Sequence, residues 1–290
     1  MRFFAPALVA VVVAAAGSAR ADEGMWLLNE LPLPAIQQST GKTLDAAWVQ
    51  RVQKGALRLA GGCSASFVGK DGLVMTNHHC VRGCLEDLSV AGKDFLNLPF
   101  VAKTSTDELR CSKLEINQLQ QIDDVTSTVL AAVSGRSGQA FADALKAEKA
   151  RIESACAKDD ATIRCEVITL FDGARFHLYK QRRFQDVRLV LAPEFPEPST
   201  SMNVSTTNDI IGGNSGSPLL NGDGDVVGLV FDGNLASLGG RYVYEAAGNR
   251  TVAVHAEAIL AALKTVYADK GSARVLAELV GGEVRVSDTP

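Results

Sequence analysis

Gly212-Gly213-Asn214-Ser215-Gly216-Ser217-Pro218 sets one serine among three glycines, and far upstream Thr76-Asn77-His78-His79-Cys80 puts a histidine directly before a cysteine. A serine hydroxyl is a weak nucleophile unless a base stands beside it and amide N–H groups face the oxygen that becomes charged. Glycine lets the backbone turn tightly enough to expose the serine and to aim the N–H groups of Gly213 and Ser215, the candidate oxyanion hole, at one point. His79 is the candidate base, at the end of a strand pattern. Taken alone, Gly-Asn-Ser-Gly is ordinary turn composition, and His79 reads as a half-buried strand-end histidine. In one exported chain, with Cys63 placed to staple the histidine loop through Cys80, the two stretches together point to nucleophilic catalysis.

Export is read from the start of the chain. Met1-Arg2-Phe3-Phe4, the apolar run from Ala5 to Ala16 and then Ala19-Arg20-Ala21 have the pattern of a secretory signal cut after Ala21. The run is too short to span a bilayer comfortably and no second one follows, which predicts a periplasmic or secreted protein with no membrane association after cleavage. Against 33 acidic residues stand 29 basic ones, without a basic stripe, so nucleic acid is excluded as a partner class. The six cysteines, Cys63, Cys80, Cys84, Cys111, Cys156 and Cys165, favour disulfides in an exported chain. Of the 15 possible pairings, which sequence does not choose between, the expected set is Cys63–Cys80, Cys156–Cys165 and, by elimination, Cys84–Cys111. A zinc site at His79-Cys80 and Cys84 is the rival reading, weakened by the lack of a matching Cys/His pair downstream.

Along the chain, a helical piece is expected around Leu44–Val52. Strands follow at Ala56–Ala60, Ala65–Val68 and Leu73–Thr76, the last two joined by a turn at Lys70-Asp71-Gly72. Leu109–Leu119 and Asp123–Val125 continue the strands. From Gln139 to Ala157 the period becomes helical, with Phe141, Leu145, Lys149 and Ile152 on one face. Strands return at Glu166–Phe171, Phe176–Tyr179 and Asp186–Leu191. Residues 194–204, rich in proline, serine and threonine, form an extended connector. Further strands are expected at Val226–Phe231, Tyr242–Tyr244 and Thr251–Val254, then a helix over Ala256–Tyr267 and a loose tail from Gly281. The predicted organisation is a signal over 1–21, a β lobe with an inserted helix over 22–193, the connector, and a serine-loop lobe with a C-terminal helix over 205–290.

Gly24-Met25-Trp26, Gly61-Gly62-Cys63, Thr76–Cys80, Asp186-Val187-Arg188-Leu189-Val190, Thr207-Asn208-Asp209-Ile210, the serine stretch and Gly228-Leu229-Val230-Phe231-Asp232-Gly233-Asn234 together resemble the bacterial dipeptidyl-peptidase family typified by dipeptidyl aminopeptidase BII and dipeptidyl peptidases 7 and 11. The resemblance implies a mainly β, chymotrypsin-like double β-barrel with a few added helices, which removes dipeptides from the free N-termini of oligopeptides without cofactor or metal. It makes His79 the general base and Ser215 the nucleophile. Asp232 is matched to the carboxylate that holds the substrate ammonium, and Gly233, followed by Asn234, to the pocket for the residue before the cut. A glycine there suits an apolar side chain.

Family members also carry a large helical domain and motifs that supply the triad aspartate, and between Pro193 and Met202 this chain has neither. Only 20 residues lie between Leu191 and Gly212, so the second barrel is expected to be incomplete. Asp186 and Asp209 are the nearest substitutes for the missing acid, each better explained by a structural or solvated role. An inactive, shortened relative is the alternative reading, and an endopeptidase with an open cleft is a third.

Overall fold

The computed structural model describes residues 25–194, 203–241 and 243–281. The expected signal, Gly24, most of the connector, Tyr242 and the last nine residues of the tail lie outside them. Two helices open the described chain, α1 at Leu33–Thr40 and α2 at Ala46–Gly55. The second is capped by Asp45, whose side chain accepts from Trp48 N–H at 2.7 Å.

Strands β1 (Ala56–Leu59), β2 (Ser64–Phe67) and β3 (Val74–Met75) make a meander. After α3 (Arg82–Leu88) come β4 (Phe100–Val101), β5 (Leu109–Arg110) and β6 (Ile116–Asp124). The single strand expected over Leu109–Leu119 is thus broken, because Cys111 is tied to Cys84 and the chain turns before β6. Helices α4 (Thr126–Val133) and α5 (Gly138–Ala157) precede β7 (Ile163–Leu170) and β8 (Arg175–Phe184), with short β9 (Arg188–Leu189) and β10 (Leu191–Ala192) after them. β11 (Asn203–Thr206), β12 (Pro218–Leu220), β13 (Val226–Gly233) and β14 (Thr251–His255) follow, then α6 (Ala256–Thr265) and α7 (Ala273–Gly281).

The strands form two main antiparallel sheets, β3-β2-β1-β6-β8-β7 and β11-β14-β13-β12, plus the ribbons β10-β4 and β5-β9. Among the described residues neither sheet closes into a barrel. Val243 and Tyr244, expected in a strand, lie in irregular chain.

Three apolar clusters hold the first lobe. Val129, Ile152, Val167, Phe176 and Leu178 bury α4 and α5 on β7 and β8. Of the helical face expected on α5, Ile152 is buried while Phe141, in the first turn, is exposed. Leu57, Leu59, Ala65 and Ile116 pack with Cys63, Phe67 and Cys80, and Leu85, Leu189 and Ala192 pack around the Cys84–Cys111 bond. All three expected disulfides are present.

Glu115 ties the strand ends together. Its carboxylate, 14 % exposed, accepts from Arg183 at 2.6 and 3.0 Å, from Gln185 at 3.2 Å and from Asn117 at 3.1 Å. Hydrogen bonding to Arg183, above all, holds this carboxyl below the ordinary glutamate value of 4.5. A carboxyl depressed in the folded state contributes its full stabilisation above the unfolded value and loses it as pH falls through the folded one. Glu115→Gln is therefore expected to cost about 1.5–3 kcal/mol at neutral pH and less at pH 3. Urea unfolding at both pH values measures the difference, and an equal loss at both contradicts the assignment.

Residues far apart in sequence clamp the lobes together. Arg51 of α2 donates to the Asp223 carbonyl at 2.7 Å and Lys42 pairs with the Asp223 carboxylate at 2.7 Å. Glu278 of α7 accepts from Asp71 N–H at 3.2 Å and Leu73 N–H at 3.1 Å, seating the helix on the β2–β3 turn. The sequence reading missed α7, although Val275, Leu276, Leu279 and Val280 carry a helical period.

Candidate active site

The serine loop is shaped by its own residues and held by the first lobe. Asn214 Oδ1 accepts from Ile211 N–H at 2.9 Å while Asn214 N–H donates back to the Ile211 carbonyl at 3.2 Å. Gly213 and Gly216 both take positive φ, 104° and 88°, which glycine alone adopts without strain. Ser64 of β2 reaches across to donate its N–H to the Ser215 carbonyl at 2.8 Å and its hydroxyl to the Gly213 carbonyl at 2.9 Å. Thr76 Oγ1 in turn donates to the Ser64 carbonyl at 2.8 Å, so β2 lies between the histidine loop and the serine loop. Nothing in the sequence marked Ser64 or Thr76 for this role.

On the other side the loop meets β13. Gly216 N–H donates to the Val230 carbonyl at 2.8 Å and Val230 N–H to the Ser217 carbonyl at 2.9 Å. The β13–β14 register shifts between Val230 and Asp232, leaving Phe231 as the extra residue of a bulge. Such a bulge re-aims the backbone, and the Phe231 carbonyl accepts the Ser215 hydroxyl at 3.3 Å.

His79 lies in a short 3-10 helix, His78–Cys80, that follows β3. Cys80 bonds to Cys63 at the start of β2. A ring nitrogen of His79 lies within 4.8 Å of both sulfurs, and Cys80 Sγ is 3.8 Å from the Ser215 carbonyl oxygen. The tertiary fold thus brings the two expected loops together at the seam between the lobes, with His79 exposed and Ser215 half-buried. Imidazole and hydroxyl are not bonded to each other, since the hydroxyl is turned to Phe231. The N–H groups of Gly213 and Ser215 donate to no protein acceptor among the described residues. They are available to an oxyanion.

No carboxylate among the described residues hydrogen-bonds to His79. Asp186 is spent on arginines, with Arg188 at 2.8 Å and Arg110 at 3.7 Å. Hydrogen bonding to Arg188 lowers its pKa. Half-buried Asp209 lies beside Gly240, whose ideal Cβ would stand 3.5 Å from Asp209 Oδ1. The zinc arrangement fails for a different reason: Cys80 is bonded to Cys63 and Cys84 to Cys111, and a disulfide sulfur is not a thiolate ligand.

Asp232 and Gly233 are the last residues of β13, just past its bulge, and Asn234 follows them. Asp232 is exposed and, among the described residues, accepts only its neighbour's N–H, from Gly233 at 2.8 Å. A Cβ on Gly233 would stand 2.3 Å from Ser237 Oγ, so a side chain here requires that hydroxyl, which donates to the Asn234 carbonyl, to turn away. Asn234, expected beside substrate, is instead committed to that loop. Its Oδ1 accepts from Ser237 N–H at 3.1 Å and Arg250 N–H at 3.0 Å, and its amide donates to the Gly248 carbonyl at 2.8 Å. Asn234→Ala is expected to cost about 1–3 kcal/mol locally, read as faster hydrogen exchange at the Ser237 and Arg250 amides. Unchanged exchange there contradicts the bracing role.

Comparison with known proteins matches the chain to the family model described as Peptidase S46 over residues 21–196 and 195–281. It is 30 % identical over 192 residues to a dipeptidyl-peptidase 7 of Porphyromonas endodontalis, covering 64 % of this chain and 24 % of that protein. To an Asp/Glu-specific dipeptidyl-peptidase of Shewanella putrefaciens it is 33 % identical over 192 residues, covering 64 % and 26 %. The crystal structure of Porphyromonas endodontalis DPP11 in complex with substrate superposes with a TM-score of 0.53 at 27 % identity, covering 60 % of this chain and 27 % of that one. The chain spans about a quarter of the length of the curated relatives it matches. Its mainly β architecture, open sheets included, is a partial chymotrypsin-like fold.

Proposed function

We propose, because this chain belongs to the peptidase S46 family, that it is a serine-type dipeptidyl peptidase acting on oligopeptides with a free N-terminus. Ser215 attacks the peptide carbonyl after its hydroxyl swings from Phe231 toward His79, which accepts the proton and later gives it to the leaving amine. The tetrahedral oxyanion is received by the N–H groups of Gly213 and Ser215. Their lack of any protein acceptor among the described residues, where the neighbouring N–H groups of Asn214, Gly216 and Ser217 are all bonded, is the observation that carries the reading. Asp232, exposed and without an ion pair among the described residues, holds the substrate ammonium in this reading through a charge-assisted hydrogen bond. The apolar preference expected from Gly233 belongs to this proposal, as does a periplasmic or secreted location, which three disulfides support.

The test is release of dipeptides from a peptide with a free N-terminus, against Ser215→Ala as control and with the same peptide N-acetylated. Release that needs both Ser215 and the free amine is the expected result. A fluorophosphonate probe, which needs an activated serine but no peptide subsites, separates the second reading. An inactive descendant is favoured by the absence of a carboxylate at His79 among the described residues, and it predicts no labelling above Ser215→Ala. Cutting of the N-acetylated peptide would show an endopeptidase instead.

A further inference from the structure

We propose that reduction of the Cys63–Cys80 disulfide turns the histidine loop into a three-ligand site for a thiophilic divalent cation of the zinc type, with two thiolates and the His79 imidazole as ligands. One ligand atom from each residue already lies within 4.8 Å of the other two. Zinc binds sulfur at about 2.3 Å and imidazole nitrogen at about 2.0–2.1 Å, so tetrahedral ligands on one ion stand roughly 3.3–3.9 Å apart. The two sulfurs, about 2.05 Å apart in a disulfide, must separate by roughly 1.7 Å to share one ion, which cleavage of the S–S bond permits. Two thiolates and an imidazole suit zinc and cobalt(II) better than calcium or magnesium, which take oxygen.

The site is preorganised because its loops do not depend on the S–S bond alone. On the Cys63 side, Leu59 N–H donates to the Cys63 carbonyl at 2.8 Å and Ser64 is fixed to Ser215 at 2.8 Å. On the other, Cys80 N–H donates to the Asn77 carbonyl and Val81 N–H to the His78 carbonyl, each at 3.1 Å. His79 is exposed, so solvent reaches the fourth coordination position and a cation has an entry path. The two other disulfides have no histidine grouped with them among the described residues.

The chemistry balances. A thiol or phosphine reductant gives two electrons to the S–S bond, which takes up two protons and becomes two thiols. The cation displaces those protons, and the imidazole binds through its neutral lone pair. Cation binding stands independently of the catalytic proposal. Only its consequence, loss of the His79 base to the metal and hence of peptidase activity, rests on that reading.

Cobalt(II) titrated into the full chain, oxidised and phosphine-reduced under anaerobic conditions, tests the site through thiolate-to-cobalt absorption. Saturation at one equivalent is expected for the reduced chain and none for the oxidised chain. Cys63→Ser/Cys80→Ser is expected to abolish the signal and His79→Gln to weaken binding about tenfold or more. The proposal is overturned if the reduced chain gives no signal, or if the double serine variant or His79→Gln binds as the parent does. The last result also covers a reduced chain that has unfolded, since unfolded thiols would bind without His79. Cobalt binding with no activity in the oxidised chain would sink the peptidase reading and leave the metal site standing.

Discussion

Gly216→Ala is expected to lose fluorophosphonate labelling and to destabilise the protein by about 2–5 kcal/mol, from left-handed backbone strain of roughly 1–2 kcal/mol and overpacking of about 1–3 kcal/mol. The residue sits at φ 88° with its ideal Cβ 2.0 Å from the Ser64 carbonyl oxygen and 2.5 Å from Thr76 Oγ1. The nearer atom is main chain, so no rotamer relieves the clash. The loop must withdraw from β2, and with it go the Ser64–Ser215 and Ser64–Gly213 hydrogen bonds that hold the proposed nucleophile in place. Displacement of a reacting group by an ångström is enough to cost about a hundredfold in rate. Thermal unfolding together with labelling kinetics measures both effects. A variant that labels at the parent rate and melts at the parent temperature would mean that the serine loop is not docked on β2 in this way.

His79→Ala is expected to slow dipeptide release by about 10², far less than the loss of a base usually causes. In a serine peptidase with all three groups, removing the histidine costs about 2 × 10⁶ and removing the acid alone about 3 × 10⁴. The ratio, roughly 10², is what base and nucleophile contribute once nothing orients the imidazole. That is the situation among the described residues, where no carboxylate bonds to His79 and Asp186 is held by Arg188 and Arg110. Comparing the catalytic constants of His79→Ala and the parent decides the matter. A drop of about 10⁶ would mean that an acid from elsewhere engages the imidazole in the working protein.

Much of the local structure was legible before any coordinates. The period change at Gln139 located α5, observed over Gly138–Ala157, and the alternation with a Lys70-Asp71-Gly72 turn located β2 and β3. These are signals carried by neighbours in sequence, and neighbours suffice to specify a helix face or a hairpin. The disulfides were expected correctly because an even set of six cysteines behind a signal-like start points to pairing, and those beside the histidine loop had an obvious mate.

What the sequence by itself determined is the set of candidate residues for the proposed chemistry: Ser215 among glycines, His79 before Cys80, and Asp232 next to the end of β13. The tertiary structure decided how they meet. Ser64 as the bridge between the two loops, Phe231 as the bulge that receives the serine hydroxyl, Glu278 on the β2–β3 turn and Asn234 as a brace all depend on contacts between segments far apart in the chain. A residue's own neighbours do not encode such contacts, because they arise only when two lobes bury their facing surfaces and every main-chain polar group there must find a partner. The proposed oxyanion hole rests on two N–H groups, at Gly213 and Ser215, that find no protein acceptor among the described residues.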